Sequence, residues 1–327
     1  MPDDRDTPTT PGTDDMRAVI REFLATRRAK LTPEQVGLPS VGRRRVQGLR
    51  REEVAVIAGV STEWYTRLEK GHINGVSDDV LDAVARALRL DEAERTYLFD
   101  LARAARPADR APRRRRATVL PDRIQWMLDS MTGSAAFVAN GRMDVLAINA
   151  LGRALYSPVF DSSVNADPRR PVNIARYQFL DPTAPDFFPD FRGAMDVTAA
   201  LLRTEAGRDA HNADLRALVG ELSTLSEPFR VRWASHDVRL HLSGRKTFAH
   251  PDVGPVEVTY HSMDVSADGS STLLMTVYTA EPASDADDAM RLLASLAATR
   301  SVARGSEAEG RPDVTTESRT ESRTESS

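Results

Sequence analysis

The sequence predicts two folded units of different class, an all-α half followed by an α+β half, and three observations carry the prediction. Apolar residues recur at helical spacing through residues 16–106. Pro107, Pro112 and the run Arg113–Arg116 then break the pattern, and residues 107–117 read as a Pro- and Arg-rich linker. Beyond it, apolar segments flank Asn140-Gly141 and Asp268-Gly269, the pattern of antiparallel strands joined by tight turns. A length of 327 residues suits two domains with tails.

The elements follow in order. Residues 1–15 are rich in Pro, Thr and Asp and read as a disordered tail, too polar and acidic for a secretory signal. Val19, Ile20, Phe23 and Leu24 recur at helical spacing in Met16–Leu31. Thr32-Pro33-Glu34-Gln35 reads as a capping box opening a short turn that Gly37 closes. Further helices are expected over Leu49–Ala58, Thr62–Glu69, Val80–Leu88 and Ala93–Ala102, with Ser77 as an N-cap and Asp91 with Glu94 as a second capping box. Residues 16–106 are thus an all-α domain. In residues 118–300, helices are expected over Asp122–Met131, Ala150–Tyr156, Asp190–Glu205 and Ala213–Leu225. Strands are expected at Ala135–Ala139, Met143–Ile148, within Val238–Phe248, at Val256–His261 and at Thr272–Thr279, so the domain closes on an antiparallel meander. In the hairpin, Asn140 and Gly141 both tolerate positive φ. Residues 301–327 end in TESR TESR TESS and read as a second disordered tail.

Composition narrows function. With no cysteine, disulfide scaffolds, thiolate zinc sites, iron–sulfur clusters and cysteine nucleophiles are excluded. Apolar runs are far too short to span a bilayer, so a soluble cytoplasmic protein with no membrane partner is expected. Only Lys30, Lys70 and Lys246 are lysine among 44 basic residues, the mark of a GC-rich bacterial genome. Charge is partitioned: residues 17–117 carry 22 basic and 14 acidic residues, residues 118–327 carry 21 basic and 29 acidic. The basic half is expected to meet a polyanion. Catalytic motifs are missing: there is no GxSxG, HExxH, Walker loop or GxGxxG. His236, His241, His250 and His261 follow no metal-ligand spacing, so no metal, cofactor or catalytic residue is expected.

Arg51–Lys70 has the residue types of a helix-turn-helix. Ala55 is the small residue where the helices cross, Gly59 supplies the left-handed turn, and Val54, Ile57, Val60, Tyr65 and Leu68 lock the pair. Ser61, Thr62, Glu63, Thr66, Arg67 and Lys70 face outward. The bland reading of the same pattern is an αα-hairpin in an ordinary bundle.

The region resembles the XRE-type helix-turn-helix regulators, which have a lambda-repressor-like fold, through GLRREEVA, AGVS and YTRLEKG (Gly48–Gly71). More narrowly, residues 16–293 resemble the branch whose second half is an MmyB-like ligand-binding domain, through AFVANGRMDVLAINALGRALY, NIARYQFLDP, WASHDV, HPDVG and VYTAEP. The resemblance implies a DNA-binding transcription regulator acting on double-stranded DNA at the nucleoid, as a homodimer on paired half-sites. Its second helix would enter the major groove, with Thr62, Glu63, Thr66 and Arg67 at base edges and Arg51 at a base or phosphate. Arg43, Arg44, Arg45, Arg50 and Lys70 would meet phosphates. Trp64 either packs against the third helix or lies on the DNA backbone, and Arg113–Arg116 either meet phosphates or act as a spacer. The second half would be PAS-like, a five-stranded antiparallel sheet around an apolar cavity for a small amphipathic, fatty-acid-like ligand. Its polar lining candidates are Asn149, Asn173, Arg176, Trp233, His236 and His250, with Arg176 as a bidentate partner for a carboxylate head. Each has a bland alternative: Asn149 as a helix cap, Asn173 as a turn residue, Arg176 as a surface ion pair, Trp233 and His236 as packing, His250 as a loop anchor. Ile148 and Phe191 stand where the family usually has Trp, which points to a different cavity shape. The competing reading is a constitutive DNA-binding regulator whose second half serves only dimerisation and assembly.

Overall fold

The computed structural model describes residues 11–39, 46, 48–105, 120–209, 212–235, 237, 243–266 and 272–309. Arg43–Arg45, Arg113–Arg116, His236 and Asp268-Gly269 lie outside the described residues.

The first half is α1 (Pro11–Lys30), α2 (Arg51–Ala58), α3 (Thr62–Glu69), α4 (Asp78–Ala87) and α5 (Glu92–Ala104). Ile20 and Phe23, Val54 and Ala55, Tyr65 and Leu68, Leu81 and Val84, and Tyr97 and Leu101 bury into one core. Each large apolar side chain so buried stabilises by roughly 1.5–3 kcal/mol. Thr32 and Gln35 cap each other's backbone N–H at 3.4 and 2.8 Å, and Asp91 and Glu94 do the same at 2.8 and 3.1 Å. Ser77 stands at the N-cap position of α4, but its hydroxyl makes no capping bond. Gly59 turns α2 into α3 at φ 69°, where a Cβ would be strained. Two expectations need correcting. α1 begins at Pro11, inside the segment read as a tail. Ile57 sits on the rim of the α2–α3 contact at 37% exposure rather than locking it, and Val60 is half-buried.

The second half runs α6 (Asp122–Asp129), β1 (Ala135–Asn140), β2 (Val145–Ile148), α7 (Ala150–Leu155), α8 (Ser157–Phe160), α9 (Ile174–Leu180), α10 (Ala184–Phe187), α11 (Phe191–Arg208), α12 (Ala213–Leu225) and α13 (Glu227–Ala234). It continues with β3 (Ser243–His250), β4 (Gly254–Asp264), β5 (Leu273–Thr279) and α14 (Asp285–Glu309). The five strands form one antiparallel sheet in the order β2-β1-β5-β4-β3. Period-2 alternation separates its faces. Ala136, Val138, Leu273 and Met275 pack with Leu128 of α6 on one face. Phe137, Phe248, Val256, Val258, Tyr260 and Tyr278 point to the other, where α7, α9, α10 and α14 contribute to a second core.

The β1–β2 turn differs from the Asn-Gly expectation. Met143 carries the positive φ, 66°, and Asn140 Oδ1 holds the turn by accepting from the N–H groups of Arg142 and Asp144 at 2.9 and 3.1 Å. Nor does the chain end on its meander. α14 follows β5, buries Met290 and Leu293 against the sheet side of the core, and continues to Glu309, into the segment read as a tail.

α11 also joins the halves. It packs on α5, and a Cβ added at Gly207 would overlap the Tyr97 ring, so the two helices approach as closely as a glycine permits.

Candidate functional site

In the helical half, α3 presents Thr62, Glu63, Arg67 and Lys70 to solvent, with Thr66 half-buried. The opposite face is fixed by Tyr65, Leu68 and Glu69, all buried. Ser61 is committed locally, its hydroxyl accepting from Trp64 N at 3.1 Å as the helix cap. Trp64 is half-buried and packs against the core of this half. Arg50 is exposed, with an ion pair to Glu52 at 3.3 Å. Arg51 is turned back onto the fold: its guanidinium bonds Glu69 at 2.8 and 3.0 Å. Arg28 of α1 spans both oxygens of that carboxylate, donating to Oε2 at 2.7 Å and sharing Oε1 with Arg51 at 3.0 Å. Burial alone would raise the Glu69 carboxyl, but hydrogen bonds and charge from Arg28 and then Arg51 hold it below its usual range. Glu69 therefore ties α1, α2 and α3 together, and Arg51 sets the geometry of the pair.

Of the six polar residues expected to line a ligand cavity, five are described and none lines it. Asn149 caps α7, accepting from Gly152 N at 2.7 Å and Ala136 N at 3.0 Å, and donates to Met131 O and Ser134 O, each at 2.8 Å. Asn173 caps α9 through Arg176 N at 2.8 Å and donates to Asp144 and the Arg142 carbonyl. Arg176 forms an ion pair with Glu221 of α12 at 3.0 Å, so its fork is occupied. Trp233 stacks on Phe229, and the Arg203 guanidinium lies 3.8 Å from its ring centroid. His250 is buried; its Nδ1 accepts from Asp252 N, and its Nε2 lies 3.0 Å from Ala154 O and 3.2 Å from Ser157 Oγ, fastening the β3–β4 turn to α7. These side chains hold elements of the domain to one another.

The cavity lies elsewhere, between the inner face of the sheet and α11, with a volume of about 600 Å³. That is within the range of roughly 300–1,000 Å³ expected for small-molecule pockets. Its walls include Phe137, Tyr260, Leu274 and Tyr278 from the sheet, and Val197, Thr198 and Leu201 from α11. Much of its polar lining is satisfied internally. Tyr156 and Tyr278 share a hydroxyl–hydroxyl bond of 2.6 Å, Ser262 and Thr276 one of 2.9 Å, and Thr198 donates to Gln178. Lys246 has no ion pair or hydrogen bond of its side chain among the described residues. It projects from β3 on the same face as Phe248, with Nζ 4.7 Å from the Phe188 ring centroid and 5.1 Å from that of Phe248.

The family model described as MmyB-like transcription regulator ligand binding domain matches residues 120–293, more than half of the chain. A helix-turn-helix domain model matches residues 20–98. The chain belongs to the MmyB-like transcription regulators. No curated protein matches it. An MmyB-like regulator couples a DNA-binding domain to a domain for a small molecule, and here the two matches fall on the helical half and on the sheet with its cavity. In this MmyB-like regulator no carboxylate pairs with Lys246 among the described residues, and burial lowers its ammonium from 10.5 to about 8. Tyr156 and Tyr278, on the same cavity wall, are pushed up by burial and stay neutral. The sequence reading missed Lys246, although a signal was present. Strand alternation in SGRKTFAH puts it on the face of buried Phe248 and His250, and it is one of three lysines in a chain that otherwise uses arginine.

Proposed function

We propose that this transcription regulator is controlled by a small amphipathic molecule with an acidic, fatty-acid-like head, whose binding changes the affinity for DNA. One observation carries the reading: a lysine ammonium on the wall of a largely apolar cavity, with no carboxylate partner among the described residues. A half-buried cation without a counter-charge is costly, and an anionic head relieves that cost. The aromatic and aliphatic walls supply affinity at about 0.8 kcal/mol per buried methylene. On the DNA side, Thr62, Glu63 and Arg67 are assigned to base edges, and Arg50 and Lys70 to phosphates. Arg51 acts through Glu69. One such helix reads only a few base pairs, so the chain works as a homodimer on half-sites about 34 Å apart, in the cytoplasm at the nucleoid.

Native mass spectrometry of the full chain, followed by denaturing extraction and calorimetric titration with dodecanoate and dodecanol, tests this. An acidic lipid in the extract, or tighter binding of dodecanoate than of dodecanol, supports it. A folded protein with no extractable ligand and no response to either probe overturns it and leaves the second half as an assembly domain.

A further inference from the structure

The cavity and the DNA-binding half share a wall. Along α11, Val197, Leu201, Thr204, Glu205 and Arg208 recur at helical spacing on the cavity side. The same helix meets α5 at its C-terminal end. Gly207 sits against Tyr97, and Tyr97 is not a surface residue: it is fully buried in the core of the DNA-binding half, edge-on to Phe23 at 5.0 Å. Arg208 lines the cavity and also bonds Asp100 of α5 at 3.3 Å. On the cavity side it reaches Thr272 Oγ1 at 3.3 Å, and that hydroxyl donates to Glu205 at 2.8 Å. Glu205, Thr272, Arg208 and Asp100 thus form a continuous polar chain from the cavity wall to the helical half. A second set of contacts joins the halves where Arg27 and Lys30 of α1 meet Asp237 at 3.3 and 2.6 Å.

We propose that α11 is the coupling element: an occupant of the cavity displaces its 201–208 stretch, and Gly207 and Arg208 transmit that displacement to Tyr97 and Asp100. The inference rests on the ligand reading above and adds the route. Packing gives the reason. With no room for even a methyl group between α11 and Tyr97, the helix cannot move toward α5 without moving it. Because Tyr97 belongs to the core of the helical half, α5 does not yield alone. The whole DNA-binding half reorients, and α3 with it. A ligand shifts this equilibrium only by its difference in affinity for the two arrangements, and DNA must then act back on the cavity by the same factor.

The test uses the full chain and a duplex that the chain itself selects from random sequence, with dodecanoate as the probe. Dodecanoate is expected to change the affinity for the duplex by about 5- to 150-fold in the wild type. Asp100→Asn, which removes the charge facing Arg208, should reduce that change to less than about 2-fold while thermal shift shows dodecanoate still bound. Gly207→Ala, which wedges α11 from Tyr97, should reproduce the sign of the dodecanoate effect without ligand. A further measurement is independent of the ligand. By reciprocity, the duplex alone should alter hydrogen exchange across residues 201–208 in the wild type, and much less in Asp100→Asn. Unchanged exchange there overturns the coupling, whatever dodecanoate does. So does a dodecanoate effect that both variants retain in full. Failure of dodecanoate to bind overturns the acidic-ligand reading instead, and the exchange result still decides the route.

Discussion

Replacing Lys246 with Met separates the cost of the cation from its use. The substitution keeps the length of the side chain and removes the charge. Burial lowers the ammonium from 10.5 to about 8. At about 1.4 kcal/mol per unit, the charged form costs the folded chain at most roughly 3–4 kcal/mol. The sign follows from proton counting. Below pH 8 the folded and unfolded chains both hold the proton, and the folded chain bears the whole cost. Between pH 8 and 10.5 the folded amine is already neutral while the unfolded one is charged, so stability rises with pH across that window. Lys246→Met should therefore be more stable than wild type at pH 7, by up to about 3–4 kcal/mol, with no rise of this origin between pH 8 and 10. Scanning calorimetry over that range measures both. Ligand affinity should move the other way. An anionic head raises the lysine again, so dodecanoate should bind the wild type more weakly as pH climbs past 8. Lys246→Met should lose about 2–5 kcal/mol of dodecanoate affinity and little of its dodecanol affinity. The other ionisable groups on the wall include Tyr156, Tyr260 and Tyr278, neutral here, with Asp190, Glu205, Asp264 and Arg208. Equal binding of acid and alcohol by the wild type, or a variant whose stability still climbs from pH 8 to 10, would refute the reasoning.

Other outcomes follow from the same geometry. Glu69→Gln should destabilise the helical half by roughly 3–5 kcal/mol, because Arg28 and Arg51 lose their shared charge, and denaturant unfolding followed at Trp64 reads this. The same carboxylate, held below its usual range, gives stability that is full above the ordinary carboxylate range and fades as pH falls through its folded value. Arg67→Ala should lose about 1–3 kcal/mol of discrimination at one base pair, visible as relaxed preference when binding sites are selected from random DNA. Asn149→Ala should destabilise the second half by about 1–3 kcal/mol, through the lost cap and two stranded carbonyls, and leave dodecanoate affinity unchanged in those molecules that fold.

What was legible in the sequence was local. The helix-turn-helix could be read because its geometry is set within twenty residues by Gly59, Ala55 and the apolar positions around them. The strands could be read from alternation, and both capping boxes from reciprocal side chains three residues apart. Asn149 and Asn173 stand outside the cavity for a physical reason: each stands immediately before a helix and caps it, which the sequence reading offered as an alternative at Asn149, while Asn173 was read as a turn residue. A polar residue in a distinctive block is as readily there to end an element as to meet a ligand. The cavity itself was not legible, because its wall draws on Phe137, Leu201, Lys246 and Tyr278, which only tertiary closure brings together. α14 was missed because its buried Met290 and Leu293 sit among small residues, with Leu292 half exposed, so no clean stripe announces it.

The order of the sheet has a consequence for how the protein comes into being. β5 is the last strand to be synthesised, yet it lies in the middle, paired with β1 on one side and β4 on the other. Until residues 273–279 leave the ribosome, the sheet exists only as two separate hairpins, β1–β2 and β3–β4, with no strand to join them. The helical half has by then been complete for more than 150 residues of synthesis, and its contacts are local enough to fold at once. Each new molecule thus passes through an interval in which it can grip DNA before it has a cavity. A chain cut short before Leu273 would be caught in that interval permanently, with its helix-turn-helix complete and the sheet that walls its cavity never closed.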